Sequence, residues 1–229
     1  MYWFVKRTID VVFSIGLIAL LSPLLIGVMI VLRFTGEREV FYFQKRIGKK
    51  NKNFQIYKFA TMLKDSPNIG SGTITLRNDP RVTVVGKYLR MSKVNELPQL
   101  FNVLLGHMTL VGPRPFVDAT FDAYPSHVQE RIYDITPGLT GAGSIVYRDE
   151  EEIISNSELP PAQCYRELIA PHKGELELWY QDNRSLWVDL KLIVLTVASV
   201  LVPESRNLLY RSFPKAPRPT SVVEHVASN

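Results

Sequence analysis

The sequence predicts a mainly helical α+β protein seated monotopically on one face of a membrane. Three observations carry this: an apolar segment of membrane length near the start, an aromatic-rich hairpin after it, and helical patterns divided by Gly and Pro. Of 229 residues, 46% are hydrophobic and 21% charged, which suits one folded core and excludes a disordered chain. A large multidomain machine is excluded by the same length. The 27 Lys and Arg against 22 Asp and Glu leave +5, an excess that favours phosphate-bearing partners without choosing among nucleotide, anionic lipid and nucleic acid. The single cysteine, Cys164, excludes an internal disulfide and a Cys-based metal site, and a cytosolic face is expected.

Residues 9–32 read IDVVFSIGLIALLSPLLIGVMIVL, with Asp10 the only charge in a stretch about as long as the roughly 20 residues of a membrane helix. The run outlasts the apolar part of a cleaved signal peptide, and residues 33–38 hold no small-x-small site, so the segment is expected to stay. Lys6 and Arg7 precede it, and Arg33, Arg38, Lys45, Arg46, Lys49, Lys50 and Lys52 follow it, which puts both ends on the cytoplasmic side. Ser22 and Pro23 sit near its centre, where proline removes a backbone donor and the serine hydroxyl can satisfy the carbonyl left over. A kinked re-entrant helix over residues 1–36 is therefore predicted; a straight span and a buried core helix compete with it.

Residues 40–43 and 54–59, separated by a basic loop containing Gly48, read as a short hairpin. Residues 65–79 read as a long loop and a candidate substrate cover. Helices are predicted over 84–91, over 96–105 with Gly106 as its stop, and over 121–133 ahead of a turn at 136–138. Residues 186–202 are apolar but short for a span and carry Asp189 and Lys191; with Trp179, Tyr180 and Trp187 nearby they suit an interfacial amphipathic helix, which Pro203 stops. Residues 37–212 are thus read as one domain on the cytosolic face and 213–229 as a loose tail.

The chemistry is expected between residues 77 and 114. Arg77, Arg81, Lys87, Arg90 and Lys93 converge on Asn95 and Glu96, and Arg114 stands between Pro113 and Pro115 on a stiff backbone suited to a two-pronged grip on phosphate. A solvated basic surface is the competing reading. Asn95, Glu96 and Pro98 also suit a plain helix start, with Asn as cap. Yet a carboxylate among arginines stays ionised, as a Mg²⁺ ligand at a diphosphate requires. His107, His127, His172 and His225 lack zinc spacing, and no Walker loop, Rossmann glycine signature or Gly-x-Ser-x-Gly elbow is present. The acidic run 149–152 is read as a solvated turn in preference to a selectivity rim. No nucleic-acid recognition motif accompanies the basic balance, so nucleic acid is not an expected partner.

The ordered series VKRTIDVVFSIGLIALLSPLL, YFQKRIG, FQIYKFATM, NDPRVTVVGKYLR, NELPQLFNVLLGHMTLVGPRP, ITPGLTG and LWVDLKLIVLT resembles the bacterial sugar transferases, the small monotopic phosphoglycosyl transferases. The resemblance implies transfer of a sugar 1-phosphate from a UDP-sugar to undecaprenyl phosphate, with release of UMP and a need for Mg²⁺. The setting it implies is the cytoplasmic face of a bacterial inner membrane, at the start of exopolysaccharide, capsule or O-antigen assembly. Downstream glycosyl transferases and a second copy of the chain are the further partners it allows. By matched position Glu96 is the metal-binding acid, Arg90 and Arg114 are phosphate ligands with Arg81 beside them, Ser22 and Pro23 mark the membrane kink, and Asp189 is a recurrent acid of the last helix. Asn95 stands where the family has a nucleophilic Asp, and Ala60 and His107 also depart from its pattern. An amide nitrogen is a poor nucleophile. Three routes stay open: attack by Glu96, direct attack by lipid phosphate with Asn95 orienting it, or a catalytically impaired membrane scaffold.

Overall fold

The computed structural model describes residues 1–69, 78–201 and 205–219. Helix α1 (Tyr2–Phe34) is 33 residues long, about 50 Å at 1.5 Å per residue. It is long and apolar enough to cross a membrane. The helix runs unbroken through Pro23. Proline's missing N–H leaves the Ala19 carbonyl unclaimed, and the Ser22 hydroxyl donates to that oxygen at 2.8 Å.

One stripe of α1 lies on the rest of the protein. Lys6, Asp10, Ser14, Leu25 and Leu32 are buried, Leu17, Leu21 and Val28 half-buried, and the eight positions recur at intervals of four and three residues. The polar members tie down the first half. Lys6 donates to Asp189 at 2.8 Å, Arg7 to the carbonyls of Val103 and Leu104 at 2.6 and 2.8 Å, and Asp10 accepts from the Thr109 hydroxyl and the Leu110 N–H. Leu25 and Leu32 pack the second half against Phe59 and Leu89. The opposite side, including Phe4, Phe13, Leu20, Ile30 and Phe34, is exposed.

Strands β1 (Phe41–Ile47) and β2 (Asn53–Phe59) form the predicted hairpin, in register from Phe41 opposite Phe59 to Ile47 opposite Asn53. The first strand runs on through Gln44, Lys45 and Arg46 because these residues alternate between half-buried and exposed, as a strand with one covered face requires. Helix α2 (Val84–Met91) matches its predicted span and starts with the Thr83 hydroxyl accepting from the Gly86 N–H at 3.0 Å.

The next helix differs from prediction. Residues 94–96 form a single 3₁₀ turn, and α3 (Gln99–Leu104) begins only after Pro98. Lys93, in the left-handed region at φ 58°, turns the chain just before, so Asn95 is no helix cap and its side-chain oxygen has no hydrogen-bond partner. Gly106, at φ 83°, ends α3 as expected.

Strand β3 (Thr109–Val111) follows, then α4 (Asp118–Phe121) and α5 (Ser126–Arg131), with a 3₁₀ turn at 132–134; Pro125 divides what the sequence reads as one helix over 121–133. Strand β4 (Gly138–Thr140) returns parallel to β3, a pairing the sequence analysis misses. The two backbones meet so closely at Gly138 that a Cβ there would stand 2.1 Å from the Gly112 nitrogen. That contact fixes the start of the Pro113, Arg114, Pro115 run.

The remainder is helical: α6 (Ala142–Val146), α7 (Glu150–Asn156), α8 (Pro161–Cys164), a π turn at 165–169, α9 (Ala170–Asn183), α10 (Leu186–Leu201) and α11 (Ser205–Ser212). Leu100, Ile132, Ile145, Leu176, Leu192 and Leu209 are fully buried in the core that joins them. Helix α10 follows its predicted span; residue 202 lies outside the described residues. Trp187, Leu190, Val194 and Val197 form an exposed apolar stripe along it. The boundary predicted at residue 213 does not mark the edge of the core, since Phe213 and Ala216 are buried in it. Residues 70–77 of the predicted cover, with Arg77, and 220–229 of the tail lie outside the described residues.

Candidate anion-binding site

The site grows from three local features. The hairpin turns Tyr42, Gln44 and Arg46 of β1 to the same covered face as Ile56 and Lys58 of β2. The 3₁₀ turn brings Asn95 and Glu96 beneath that face. The Gly112–Gly138 contact then delivers Arg114. Glu96 Oε1 accepts from Lys58 Nζ at 2.7 Å and from Arg114 Nη2 at 2.9 Å. Arg46 stands beside them and donates to the Pro115 carbonyl at 3.1 Å. Two cations thus share one carboxylate with a third beside them, and a partly buried positive surplus is costly unless an anion joins it.

The titration of these groups follows from that crowding. Burial alone would raise the Glu96 carboxyl, but Arg114, Lys58 and Lys93 more than reverse this and hold it well below the usual carboxylate range. Burial, opposed by Glu96, pushes the Lys58 ammonium down to about 8. Burial and the nearby Arg114 push the Arg46 guanidinium down to about 10. Lys58 is therefore protonated below about pH 8 and neutral above it. Pyrophosphate binding, followed by calorimetry, is expected to weaken about tenfold as pH rises from 7 to 9.5, and Lys58→Arg, which keeps its charge, to flatten that dependence.

These residues line a cavity of about 1620 Å³, together with Asn95, Arg90 and Lys93. Its wall also carries apolar side chains, among them Phe13 and Leu17 of α1 and Ile193 and Val197 of α10. Helix α7 lines it as well. Its first turn is the acidic run read from the sequence as a solvated turn, which is corrected here: Glu151 pairs with Arg90 and Glu150 with Lys173, and both acids line the cavity. Lys173 is buried and sits 5.9 and 5.8 Å from the ring centres of Tyr147 and Tyr165. One turn further along α9, Glu177 is fully buried against Gly141 and Gly143. The N–H groups of Arg114 and Gly143 lie near it, but neither carboxylate oxygen makes a hydrogen bond of ordinary geometry. Burial, opposed by Lys173, raises its carboxyl to about 7.

Of the residues singled out in the sequence, Asn95, Glu96, Arg90 and Arg114 meet in this cavity. Arg81 does not line it: its guanidinium is buried and donates to Asp79 and to the carbonyls of Ser66 and Ile69, holding the loop at 66–69. Asp189 is also elsewhere, accepting from Tyr2, Lys6 and Tyr180 where α1 meets α10. Ser22 and Pro23 lie on α1 outside the cavity. Ala60 lines it, whereas His107 packs near the Phe54 ring. The sequence analysis misses Lys58, Arg46, Lys173 and Glu177. For the first two, period-two alternation along the hairpin was the available signal.

Among the described residues no three acids, histidines or cysteines cluster as a metal cage. The donor set nevertheless fits Mg²⁺ of the kind shared with a substrate. Glu96 is an ionised carboxylate, and the Asn95 oxygen is a buried hard donor without a partner in the same cavity wall.

Fold and site together describe a cluster of cations around one acid in a cavity that also touches the long apolar helix. The bacterial sugar transferase family model matches residues 1–203, and the chain belongs to that family. Over 209 residues it is 32% identical to a UDP-N-acetylgalactosamine-undecaprenyl-phosphate N-acetylgalactosaminephosphotransferase of Aeromonas hydrophila, covering 87% of this chain and 44% of the relative. An undecaprenyl-phosphate glucose phosphotransferase of Komagataeibacter xylinus is 34% identical, with 84% and 35% covered. A UDP-glucose:undecaprenyl-phosphate glucose-1-phosphate transferase of Caulobacter vibrioides is 36% identical, with 87% and 71% covered. The chain thus spans less than half the length of the first two relatives.

Proposed function

We propose that this chain transfers a sugar 1-phosphate from a UDP-sugar to undecaprenyl phosphate and releases UMP, on the cytoplasmic face of a bacterial inner membrane, as a first step in surface-glycan assembly. The observation that carries the reading is the single carboxylate among Arg46, Lys58 and Arg114 in a cavity whose wall also carries Phe13, Leu17, Ile193 and Val197. The cations take up the charge of the nucleotide diphosphate and of the departing UMP. These apolar side chains admit the polyprenyl chain. Glu96 and Asn95 would hold Mg²⁺, which supplies charge neutralisation at the diphosphate. Release of UMP from UDP-sugars by the detergent-purified protein, dependent on undecaprenyl phosphate and Mg²⁺, tests the reading. No release from any donor would refute it. Arg114→Lys removes the planar fork and is expected to lower turnover about 100-fold.

The same reading places the exposed sides of α1 and α10 in lipid. Contacts at both ends of α1 with the rest of the protein support an arrangement in which neither end crosses the bilayer. A cysteine at position 2 is expected to be labelled by a membrane-impermeant reagent only after the cells are opened. Labelling from outside intact spheroplasts would contradict this placement.

A further inference from the structure

The family match ends at residue 203, and helix α11 lies beyond it. This helix packs on α6 and α10, and the segment that follows stays on the core. Leu209, Phe213 and Ala216 are buried there, with the Phe213 ring edge-on to Trp179 at 5.1 Å. Next in the chain, the Pro217 carbonyl meets His172 Nε2 at 2.9 Å, while His172 Nδ1 meets the Tyr147 hydroxyl at 2.7 Å. A carbonyl only accepts, so Nε2 carries a ring proton. In the neutral ring Nδ1 then accepts from Tyr147, and the imidazole is held from both sides.

Tyr147 ends this relay and belongs to the cavity wall. Its ring centre stands 5.9 Å from Lys173 Nζ, and Lys173 pairs with Glu150 in the same wall. Tyr165 and Ser144 extend this into a patch of paired charges and hydroxyls, with Glu150 near enough to Arg114 for the two charges to attract. Such a patch suits a polar ligand and not a hydrocarbon chain. Among the described residues, His172 and the segment from α11 to Pro217 do not line the cavity themselves.

Resting on the transferase reading above, we propose that the C-terminal segment beyond the family match is a positioning element for the UDP-sugar, acting through His172 on Tyr147 in the cavity wall. It fixes the Tyr147 ring, and with it the Lys173 and Glu150 pair, at the place where the polar donor lies. On the same reading the polyprenyl chain rests on Phe13, Leu17, Ile193 and Val197, so the effect falls on the donor.

Asn and Gln separate the two contacts of His172. The side-chain oxygen of Asn reaches where Nδ1 sits and the amide nitrogen of Gln where Nε2 sits, so His172→Asn keeps the Tyr147 contact and releases Pro217, and His172→Gln does the reverse. Both variants and Tyr147→Phe are assayed beside the native chain, in detergent with Mg²⁺, undecaprenyl phosphate and, in turn, UDP-glucose, UDP-galactose and UDP-N-acetylgalactosamine. Each variant is expected to raise the KM for the UDP-sugar about fivefold, and to leave the KM for undecaprenyl phosphate within about twofold of native. A native donor KM in His172→Asn would overturn the proposal, because the C-terminal contact would then have no part in it. An equal rise in both KM values, or a loss confined to Tm, would overturn it as well by marking a purely structural role. Either result leaves the transferase reading intact, whereas UMP release by the native chain from none of the three donors would defeat both.

Discussion

Glu96→Gln is expected to lower UMP release by on the order of 10³-fold, because it removes the ionised carboxylate that Lys58 and Arg114 share and that, on the proposed function, would offer Mg²⁺ a ligand. Lys58 and Arg114 lose the anion they share at 2.7 and 2.9 Å, and mutual repulsion with Arg46 is then unopposed. Removing one partner of a buried pair generally costs ~3–5 kcal/mol. Here the cost should be about 2 kcal/mol, since Lys58, already pushed down to about 8, can shed its proton. Thermal unfolding at pH 7 and at pH 9 checks this: the destabilisation should shrink at the higher pH, where Lys58 is neutral in both proteins. Activity within threefold of native would show that the carboxylate is not part of the chemistry.

Asp189→Asn is expected to have the largest effect on stability. Asp189 is buried and accepts three hydrogen bonds: from Lys6 at 2.8 Å, Tyr2 at 3.0 Å and Tyr180 at 2.7 Å. The amide leaves the buried Lys6 ammonium without its anion, at a cost of ~3–5 kcal/mol, or roughly 10 °C in Tm for a chain of this size. Because the same network fastens α1, its N-terminal half should also become more accessible to protease. Adding Lys6→Met to Asp189→Asn should recover most of the lost stability, as a double-mutant cycle on one ion pair requires. Two additive losses would show that the residues do not act together.

The legible parts of this molecule were those set by short-range patterns. Aromatic and β-branched content announced the hairpin, and Gly106 the end of α3. The meeting of Glu96 with Arg114 was legible as well, because a stiff Pro-Arg-Pro run and a lone acid among cations have few other uses. What escaped was set by contacts distant in sequence. Lys58 looks like an ordinary strand lysine until β1 places Arg46 on the same face. Asn95 carries every sign of a helix cap, yet the left-handed turn at Lys93 moves the helix start beyond it. The acids of α7 look solvated because their partners, Arg90 and Lys173, lie about 60 residues before and 23 after them. Asp189 reads as a site residue by position, and only the fold shows it bound to α1.

The central claim is that Glu96, Lys58 and Arg114 form the seat of a nucleotide diphosphate. A structure of the detergent-solubilised protein with UDP and Mg²⁺ tests it most directly. The expected result is UDP phosphate oxygens within hydrogen-bond distance, about 3 Å, of the Arg114 guanidinium, with Glu96 in the same wall. Phosphates held instead at the basic loop around Lys49, with the Glu96 cluster unchanged, would contradict it.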